Sequence, residues 1–188
     1  ARITAGSTTV LAIVLTLVLP GRGGVREDPV KVTIRPYDQR DAADLADVFF
    51  RSVREAARSD YTAAQVKAWL PERPSPGLMH QRASDGRMVL VAADERDRVV
   101  GYIDLEKSGH IDHLFCAPEA VGQGIASLLY DATEAAARQR GIGRLFVEAS
   151  EPARRLFERK GFTILTRQNL IRHGVAMHNY AMEKGLRA

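Results

Sequence analysis

The stretch PEAVGQGIASLLYDATEAAARQRG, residues 118–141, places two glycines directly before a long helical pattern rich in alanine. The first backbone N–H groups of a helix have no partner within the helix, and the helix dipole adds partial positive charge there. Because Gly122 and Gly124 lack a Cβ, a diphosphate can approach these N–H groups closely. Ala126 keeps the first turn open and Ser127 adds a hydroxyl. The spacing predicts an anion site, although it is also typical of a plain turn before a helix.

Two common phosphate-binding motifs are excluded by the residues around this loop. No Gly-Lys-Ser/Thr follows the glycines, so the loop is not a P-loop. The glycine spacing does not make Gly-x-Gly-x-x-Gly either, which excludes the dinucleotide fingerprint.

A stretch with several ionisable residues, HIDHLFCA at residues 110–117, comes just before the loop. The stretch is predicted to be a strand, in which His110 and Asp112 share one face, whereas Ile111, His113 and Phe115 share the other. Histidine changes its charge near neutral pH and can move protons, so His113 is a candidate proton shuttle. The alternative is that His113 packs or hydrogen-bonds within the sheet.

The elements that must position these residues follow the order β-α-α-β-β-β-α-β-α-β-β. A capping box at Thr62 and Gln65 predicts the start of the second helix. Gly141 and Gly161 are placed to end the two later helices. A meander followed by one right-handed crossover predicts an α+β fold, with a central mixed sheet of about seven strands flanked by about four helices.

The first thirty residues differ in kind from the rest. The run VLAIVLTLVLP at residues 10–20 is too short to span a membrane, which needs roughly 20 residues, and its length suits a signal-peptide core. A Gly/Arg-rich stretch, GRGGVREDP, follows. A secretion signal, a short anchor and upstream sequence appended to a cytoplasmic domain are the alternatives, of which the third is favoured. We therefore predict that residues 1–30 lie outside the fold and that residues 31–188 form one domain.

Composition limits the possible functions. The 188 residues are 45% hydrophobic and 27% charged with a net charge of +4, as in a soluble globular domain. The basic residues form no run, so nucleic-acid binding is not expected, and neither is stable membrane association. Cys116 is the single cysteine, which fits a reducing compartment and a cytoplasmic location. The histidines show no paired ligand spacing, so no metal site is predicted, and a homodimer is left open.

Three stretches in order resemble the GNAT N-acetyltransferase superfamily. Residues 121–126, VGQGIA, are similar to the family's motif A, Gln/Arg-x-x-Gly-x-Gly/Ala after a strand. The preceding IDHLFCAPE and the downstream ARRLFERKGF are also similar to family patterns. With the element order, the resemblance covers roughly residues 31–188 and implies the family's fold.

The resemblance implies acetyl-CoA as co-substrate, with its pyrophosphate on the glycine loop and its pantetheine arm beside the HLFC strand. A backbone N–H of that strand, that of Leu114, would stabilise the developing oxyanion. Ser150 stands where many members have an asparagine near the pantetheine. The implied cofactor-binding residues are Leu114, Phe115, Cys116, Val121, Gly122, Gln123, Gly124, Ile125, Ala126, Ser127 and Ser150.

The resemblance also implies direct attack of an amine within a ternary complex. Asp112 is the first candidate for the base that deprotonates the amine, because some relatives carry a glutamate on this strand. Glu148 and Glu106 are further strand carboxylates. Phe157 stands where many members have the tyrosine that protonates the leaving thiolate. Tyr180 on the last strand is a candidate replacement, or else an aromatic residue of a sheet face.

A second departure concerns Val121, which replaces the family's usual Gln or Arg and so removes a side-chain contact to the cofactor. The predicted function is transfer of an acetyl group from acetyl-CoA to a primary amine of a small molecule, peptide or protein. The alternative is a non-catalytic acyl-CoA-binding or regulatory domain, which the phenylalanine at position 157 keeps open.

Overall fold

The computed structural model describes residues 15–19, 30–55 and 60–186, which form an α+β fold of eight strands in two sheets with five α-helices. None of the helices within these ranges is long and apolar enough to cross a membrane. In chain order the elements are β1 (Leu15–Leu19), β2 (Val30–Pro36), α1 (Ala42–Arg54), α2 (Ala63–Trp69), α3 (Pro76–Ala83), β3 (Met88–Ala93), β4 (Val99–Leu105), β5 (Leu114–Cys116), α4 (Ile125–Gln139), β6 (Arg144–Ala149), α5 (Glu151–Arg159), β7 (Thr163–Arg172) and β8 (Val175–Gly185).

The larger sheet has the order β1-β2-β3-β4-β5 and is antiparallel throughout. Strands β3 and β4 are almost continuously buried because helices cover both faces. Phe49 of α1 packs against Phe115 of β5, with the ring centroids 4.6 Å apart and the rings tilted by 44°. A Cβ on Gly101, which lies on the opposite face of the sheet, would stand 3.2 Å from Leu129 of α4. Helices α1 and α4 therefore enclose the core from opposite sides.

The smaller sheet, of order β6-β8-β7, is linked to the segment that precedes β5 by an isolated parallel bridge between His110 and Phe146. The backbones come very close here, since a Cβ on Gly109 would lie 2.0 Å from the Arg144 carbonyl oxygen. Gly109 also has φ +93°, a conformation that favours glycine. The α+β class is confirmed, but the single sheet of about seven strands is not what forms, and five helices are found where about four were predicted.

The carboxylate of Asp104 explains why the predicted strand HIDHLFCA does not form along its whole length. Asp104 Oδ1 accepts the backbone N–H groups of Asp112 at 3.0 Å and of His113 at 2.9 Å. These two N–H groups are therefore not available for hydrogen bonds to a neighbouring strand. Only Leu114–Cys116 forms a strand, and among the described strands β5 pairs with β4 alone. The two sheets consequently diverge beyond the bridge at His110 and leave an opening between β5 and β6.

Local signals in the sequence account for most of the helix ends. The Thr62–Gln65 capping box is present at α2, and Gly141 and Gly161 follow α4 and α5 with positive φ. Helix α3 was not predicted, because Met79 is its only buried residue and no apolar stripe reveals it. Its signals are Ser75, whose hydroxyl caps the helix, and a proline in the first turn.

Strand β1 is the part of the N-terminal segment that the structure describes. It pairs antiparallel with β2, from Leu15 opposite Ile34 to Leu19 opposite Val30. For these five residues this pairing is at odds with the expectation that residues 1–30 lie outside the fold. The physical reason is that β2 would otherwise expose an unpaired edge, which a valine- and leucine-rich segment can cover. Residues 1–14 and 20–29 lie outside the described residues, so the domain boundary stays a prediction.

A chain that begins at Val30 is expected to fold with a melting temperature within a few degrees of that of the full chain. The reason is that β2 keeps its pairing with β3, and that Val32 and Ile34 keep their places in the main core. Thermal unfolding followed by circular dichroism checks this. Loss of cooperative unfolding in the shortened chain would show that β1 is required for the fold.

Candidate active site

Two neighbouring cavities lie at the opening between the sheets. The loop cavity, of about 400 Å³, lies among β5, the glycine loop, the start of α4 and α5. The sheet cavity, of about 330 Å³, lies between α2, residues 112–115 and the smaller sheet. Trp69, Phe115 and Ser150 line both cavities, so the two spaces meet at these residues.

Most of the residues predicted to hold the cofactor line the loop cavity. They are Leu114, Phe115, Cys116, Val121, Gly122, Gly124, Ile125, Ala126, Ser127 and Ser150. Gly124 is the N-cap of α4, has φ 82° and offers no side chain to cap the first-turn N–H groups. These N–H groups are therefore available to an anion in the cavity.

Gln123 is the predicted cofactor residue whose side chain does not line the loop cavity. Its Nε2 donates to the Glu119 carbonyl oxygen at 2.7 Å, and the residue lines a separate, charged cavity next to α1. Any contact of Gln123 with a ligand in the loop cavity is therefore restricted to its backbone.

The register of β5 directs main-chain groups into the opening between the sheets. His113 accepts from the Asp104 N–H and Ala117 donates to the Val100 carbonyl, so residues 113, 115 and 117 face β4. In an antiparallel pair the alternate residues point their N–H and C=O groups the other way. Leu114 and Cys116 therefore present theirs to the free edge, which is where the family resemblance implies the pantetheine arm.

The Cys116 thiol is a packing group. Burial raises its pKa to about 12, so it stays protonated at neutral pH. A protonated, buried thiol is unsuited to nucleophilic attack. This fits direct transfer of the acyl group rather than transfer through the cysteine.

Asp112 lines the sheet cavity, but its carboxylate forms an ion pair with Arg82. Burial alone raises the pKa of Asp112, but the hydrogen bond and positive charge of Arg82 outweigh burial and hold that pKa below the ordinary value. The base role of Asp112 stays a prediction, and the ion pair weakens it as a proton acceptor.

His113 also lines the sheet cavity, and its Nδ1 lies 2.9 Å from the Tyr102 hydroxyl. Burial, aided by the positive charge of Arg82, lowers the pKa of His113 to about 4, so the ring is neutral at pH 7. Tyr102 is 1% exposed, and within the described ranges its hydroxyl has no other hydrogen-bonding partner. The phenol hydrogen therefore goes to Nδ1, which leaves the ring proton on Nε2. The hydrogen bond to Tyr102 and the low pKa argue against a role of His113 as a proton acceptor.

Glu148 is the carboxylate of the sheet cavity that is closest along the chain to the meeting point of the two cavities. It shares a face of β6 with Ser150, because the backbone at Ser150 is still extended. Two residues of extended chain place them about 7 Å apart. Glu148 Oε2 lies 2.7 Å from His110 Nε2, and Glu106 approaches the other ring nitrogen at 3.6 Å. Among the described residues, Glu148 thus pairs with a histidine and with no arginine, whereas Asp112 pairs with Arg82.

Tyr180 lies outside both cavities, so the structure does not bring it to the other predicted residues. Arg154 stacks over its ring at 5.2 Å, and its hydroxyl bonds Glu151. Tyr61 lines the sheet cavity instead, and its hydroxyl accepts the Glu151 N–H at 2.9 Å, next to Ser150. Tyr61 is therefore a phenol of the sheet cavity whose hydroxyl lies beside Ser150, one of the residues that both cavities share.

Phe157 belongs to the core and not to the loop cavity. It is 1% exposed and packs edge-on against Tyr130 and Phe162. Its neighbour Leu156 lines the loop cavity in its place. Phe157, which stands where many family members have the proton-donating tyrosine, is thus a packing residue in this protein.

Sequence reasoning missed several residues that surround the site. Arg82 and Arg87 hold the segment before β5 through Asp104, with each guanidinium 2.8 Å from its Oδ2. No sequence signal links these arginines to Asp104. The wall of the loop cavity formed by α5 could have been found, because its residues lie in the family-like stretch ARRLFERKGF and just before it. Those residues are Pro152, Ala153, Leu156 and Arg159.

Comparisons with known proteins agree with this geometry. A family model described as the acetyltransferase (GNAT) domain matches residues 57–184. The Uncharacterized N-acetyltransferase YafP of Escherichia coli K12 is 28% identical over 151 residues, which cover 80% of this chain and 94% of that protein.

Solved structures are similar as well. A GCN5-related N-acetyltransferase from Rhodopseudomonas palustris is 30% identical with a TM-score of 0.75, and the match covers 87% of this chain and all of that one. YncA of Salmonella typhimurium, a putative acetyltransferase solved with acetyl-CoA, shares the fold at 21% identity and a TM-score of 0.65, over 84% of this chain and 95% of that one. Since the family model spans more than half of the sequence, the chain belongs to the GNAT acetyltransferase family.

Proposed function

We propose that the protein is an acetyl-CoA-dependent N-acetyltransferase that acts on a primary amine of a small molecule or peptide by direct attack in a ternary complex. The observation that carries this proposal is the meeting of two cavities at Trp69, Phe115 and Ser150. Each cavity can take one substrate, and the shared walls are where a thioester and an amine would come into contact. Holding both reactants together in this way supplies much of the acceleration in such reactions.

The loop cavity fits the donor. The uncapped first turn of α4 presents N–H groups to a pyrophosphate, and the free edge of β5 offers main-chain hydrogen bonds to a pantetheine amide. The backbone N–H of Leu114 points into the same opening and is our candidate for stabilising the carbonyl oxygen as it becomes negative. Solved relatives bound to acetyl-CoA, such as YncA, support this choice of donor.

The sheet cavity fits the acceptor. A lysine-like amine is protonated at neutral pH and must lose its proton before it attacks. We assign this step to Glu148, directly or through a water, with Asp112 as the second candidate, because Asp112 is held by Arg82. Burial raises the pKa of Tyr61, which therefore stays protonated and can donate a hydrogen bond to the leaving thiolate. His113 and Tyr180 have no proton-accepting or proton-donating step in this scheme.

The non-catalytic alternative depended on a phenylalanine at the position of the family's proton donor. Because Phe157 packs in the core, its identity does not bear on groups that face the thioester. No contact in the described part of the chain favours a purely regulatory domain over an enzyme.

Gly124→Val tests the donor site and is expected to weaken acetyl-CoA binding at least tenfold, about 1.4 kcal/mol. The valine would add a side chain at the N-cap of α4, where the proposal places the pyrophosphate. Isothermal titration calorimetry with acetyl-CoA measures the effect, and release of free thiol in the presence of amines measures turnover.

The matched control is Gly141→Val, at the other end of the same helix. Gly141 also has positive φ, 70°, so valine there carries similar backbone strain, but it is remote from the cavity and has open space around it. Both variants should lose stability, whereas only Gly124→Val should lose affinity. Equal affinities in the two variants would refute the loop as the pyrophosphate site.

A further inference from the structure

One face of the smaller sheet forms a wall of the sheet cavity. The charge of the side chains on this face differs between its two ends. In an antiparallel pair, residues opposite each other share a face. Glu148 lies opposite Ala181 on β8, and Arg172 lies opposite Val175. Since residues 181, 179, 177 and 175 alternate onto one face, Glu148 and Arg172 are on the same face of the sheet. A carboxylate thus marks one end of this wall and a guanidinium the other.

Apolar side chains occupy the part of the same wall next to Arg172, whereas Asn179, which lies between Met177 and Ala181, adds a polar group nearer to Glu148. Leu170 lies opposite Met177, and both line the cavity. Trp69 and Leu70, at the end of α2, also line it. A ligand that reaches from Glu148 to Arg172 therefore passes an apolar stretch.

Arg172 differs from the other charged residues of this cavity in having no partner. Asp112 pairs with Arg82, Glu148 with His110, and His178 lies 3.6 Å from Glu151. Within residues 30–55 and 60–186, the exposed side chain of Arg172 makes no hydrogen bond, ion pair or ring contact, and only its backbone pairs, with Val175. A guanidinium in this position is suited to bind a carboxylate or a phosphate through two parallel hydrogen bonds.

The two ends are far apart. The β8 residues opposite Glu148 and Arg172 are Ala181 and Val175, which are six positions, or about 20 Å, apart along the strand. At right angles to this direction, β6 and β7 are two strand spacings, or about 10 Å, apart. Both side chains shorten this gap, but it remains much longer than the distance between amine and carboxylate in an α-amino acid. A ligand that contacts both charged groups must therefore be elongated.

We propose that the acceptor is a small, elongated amine with an apolar middle and an anionic far end, and that Arg172 binds this anion. The inference rests on the proposed function only for the fate of the amine, since binding of the anion is independent of acetyl transfer. Arg172 is then a residue that determines acceptor specificity.

The probes are ω-amino acids of increasing chain length, each compared with the n-alkylamine and the diaminoalkane of equal length. At the best length, the ω-amino acid is expected to have a kcat/KM at least tenfold above that of the alkylamine. Arg172→Gln should remove this advantage and leave the kcat/KM for the alkylamine unchanged. Arg172→Lys should keep part of it. Arg167→Gln is the control, because Arg167 lies on the same strand, bonds Asn169 and does not line the cavity.

A second measurement does not require turnover. Trp69 is the only tryptophan of the chain and lines both cavities, so its fluorescence reports ligand binding. Binding of an ω-amino acid should shift this fluorescence in the wild type and the Arg167→Gln variant, and much less in Arg172→Gln.

A preference for α-amino acids or for diamines would overturn the inference. So would an equal loss of kcat/KM for the ω-amino acid and the alkylamine in Arg172→Gln. If no ω-amino acid either binds or is acetylated, the inference is also overturned. The proposed function stays intact in that case if acetyl-CoA still binds at the loop. Failure of acetyl-CoA to bind, with Arg172-dependent binding of the probes retained, would refute the proposed function alone.

Discussion

Glu148→Gln is expected to lower the rate of acetyl transfer by about 10²–10⁴-fold near pH 7, the usual contribution of a general base. Glutamine keeps the shape of the side chain and removes its capacity to accept a proton. Affinity for acetyl-CoA should stay unchanged, because Glu148 lines the sheet cavity and not the loop cavity. The loss should shrink as the pH rises, since more of the amine is then already unprotonated. Steady-state kinetics between pH 6 and pH 9 measure all three effects.

Glu106→Gln is the matched control for this change. Glu106 approaches the same histidine, His110, from its other ring nitrogen, but it does not line the cavity. It should therefore transfer acetyl groups at close to the wild-type rate. A Glu148→Gln protein that is folded and has a normal rate across this range contradicts the assignment. If Asp112→Asn then shows the large loss, the base is Asp112, as the resemblance alone had implied.

The elements that could be predicted from the sequence are those that depend on residues close together in the chain. The glycine loop, α4 and the capping box of α2 follow from caps and glycines within a few positions of one another. The hairpin of β7 and β8 follows from two strand-like runs around His173 and Gly174, both of which have positive φ. Such signals do not require knowledge of what packs where.

The parts that could not be predicted depend on contacts between distant residues. The ion pair that holds Asp112 comes from Arg82, on a helix that has only one buried residue and therefore no clear pattern. The Tyr61 hydroxyl meets the Glu151 N–H across 90 positions of the chain. The contrast between Glu148 and Asp112 as bases was open at the sequence level because it depends on which carboxylate an arginine reaches.

The division into two sheets was hidden for the same reason. The strand-like pattern of HIDHLFCA correctly predicted a strand at Leu114–Cys116, but it predicted that the strand would be continuous from residue 110. The pattern contains no sign that a carboxylate eight positions earlier would take two of the backbone N–H groups. That side chain, Asp104, is thus responsible for the opening into which both substrates are proposed to fit.

Asp104→Asn is accordingly expected to destabilise the protein by about 3–5 kcal/mol, the cost of breaking a buried ion pair from one side. Asp104 is 2% exposed and accepts from Arg82 and Arg87 at one oxygen and from the N–H groups of Asp112 and His113 at the other. Asparagine replaces one acceptor oxygen by an NH₂ group. Either orientation of the amide therefore places a donor against buried donors. The change also removes the buried counterion that Arg82 and Arg87 share, although Asp112 still pairs with Arg82 and Asp85 with Arg87.

Urea unfolding of Asp104→Asn beside Asp85→Asn separates this effect from the loss of an ordinary surface charge. Asp85 also binds Arg87, at 2.7 Å, but is 44% exposed, so its replacement should cost no more than about 1 kcal/mol. Because the Asp104 carboxylate holds the segment before β5, folded Asp104→Asn molecules should also bind acetyl-CoA more weakly, whereas Asp85→Asn should bind it normally. Similar unfolding free energies in the two variants would mean that water or a rearranged side chain satisfies the buried arginines, and that the opening between the sheets does not depend on Asp104.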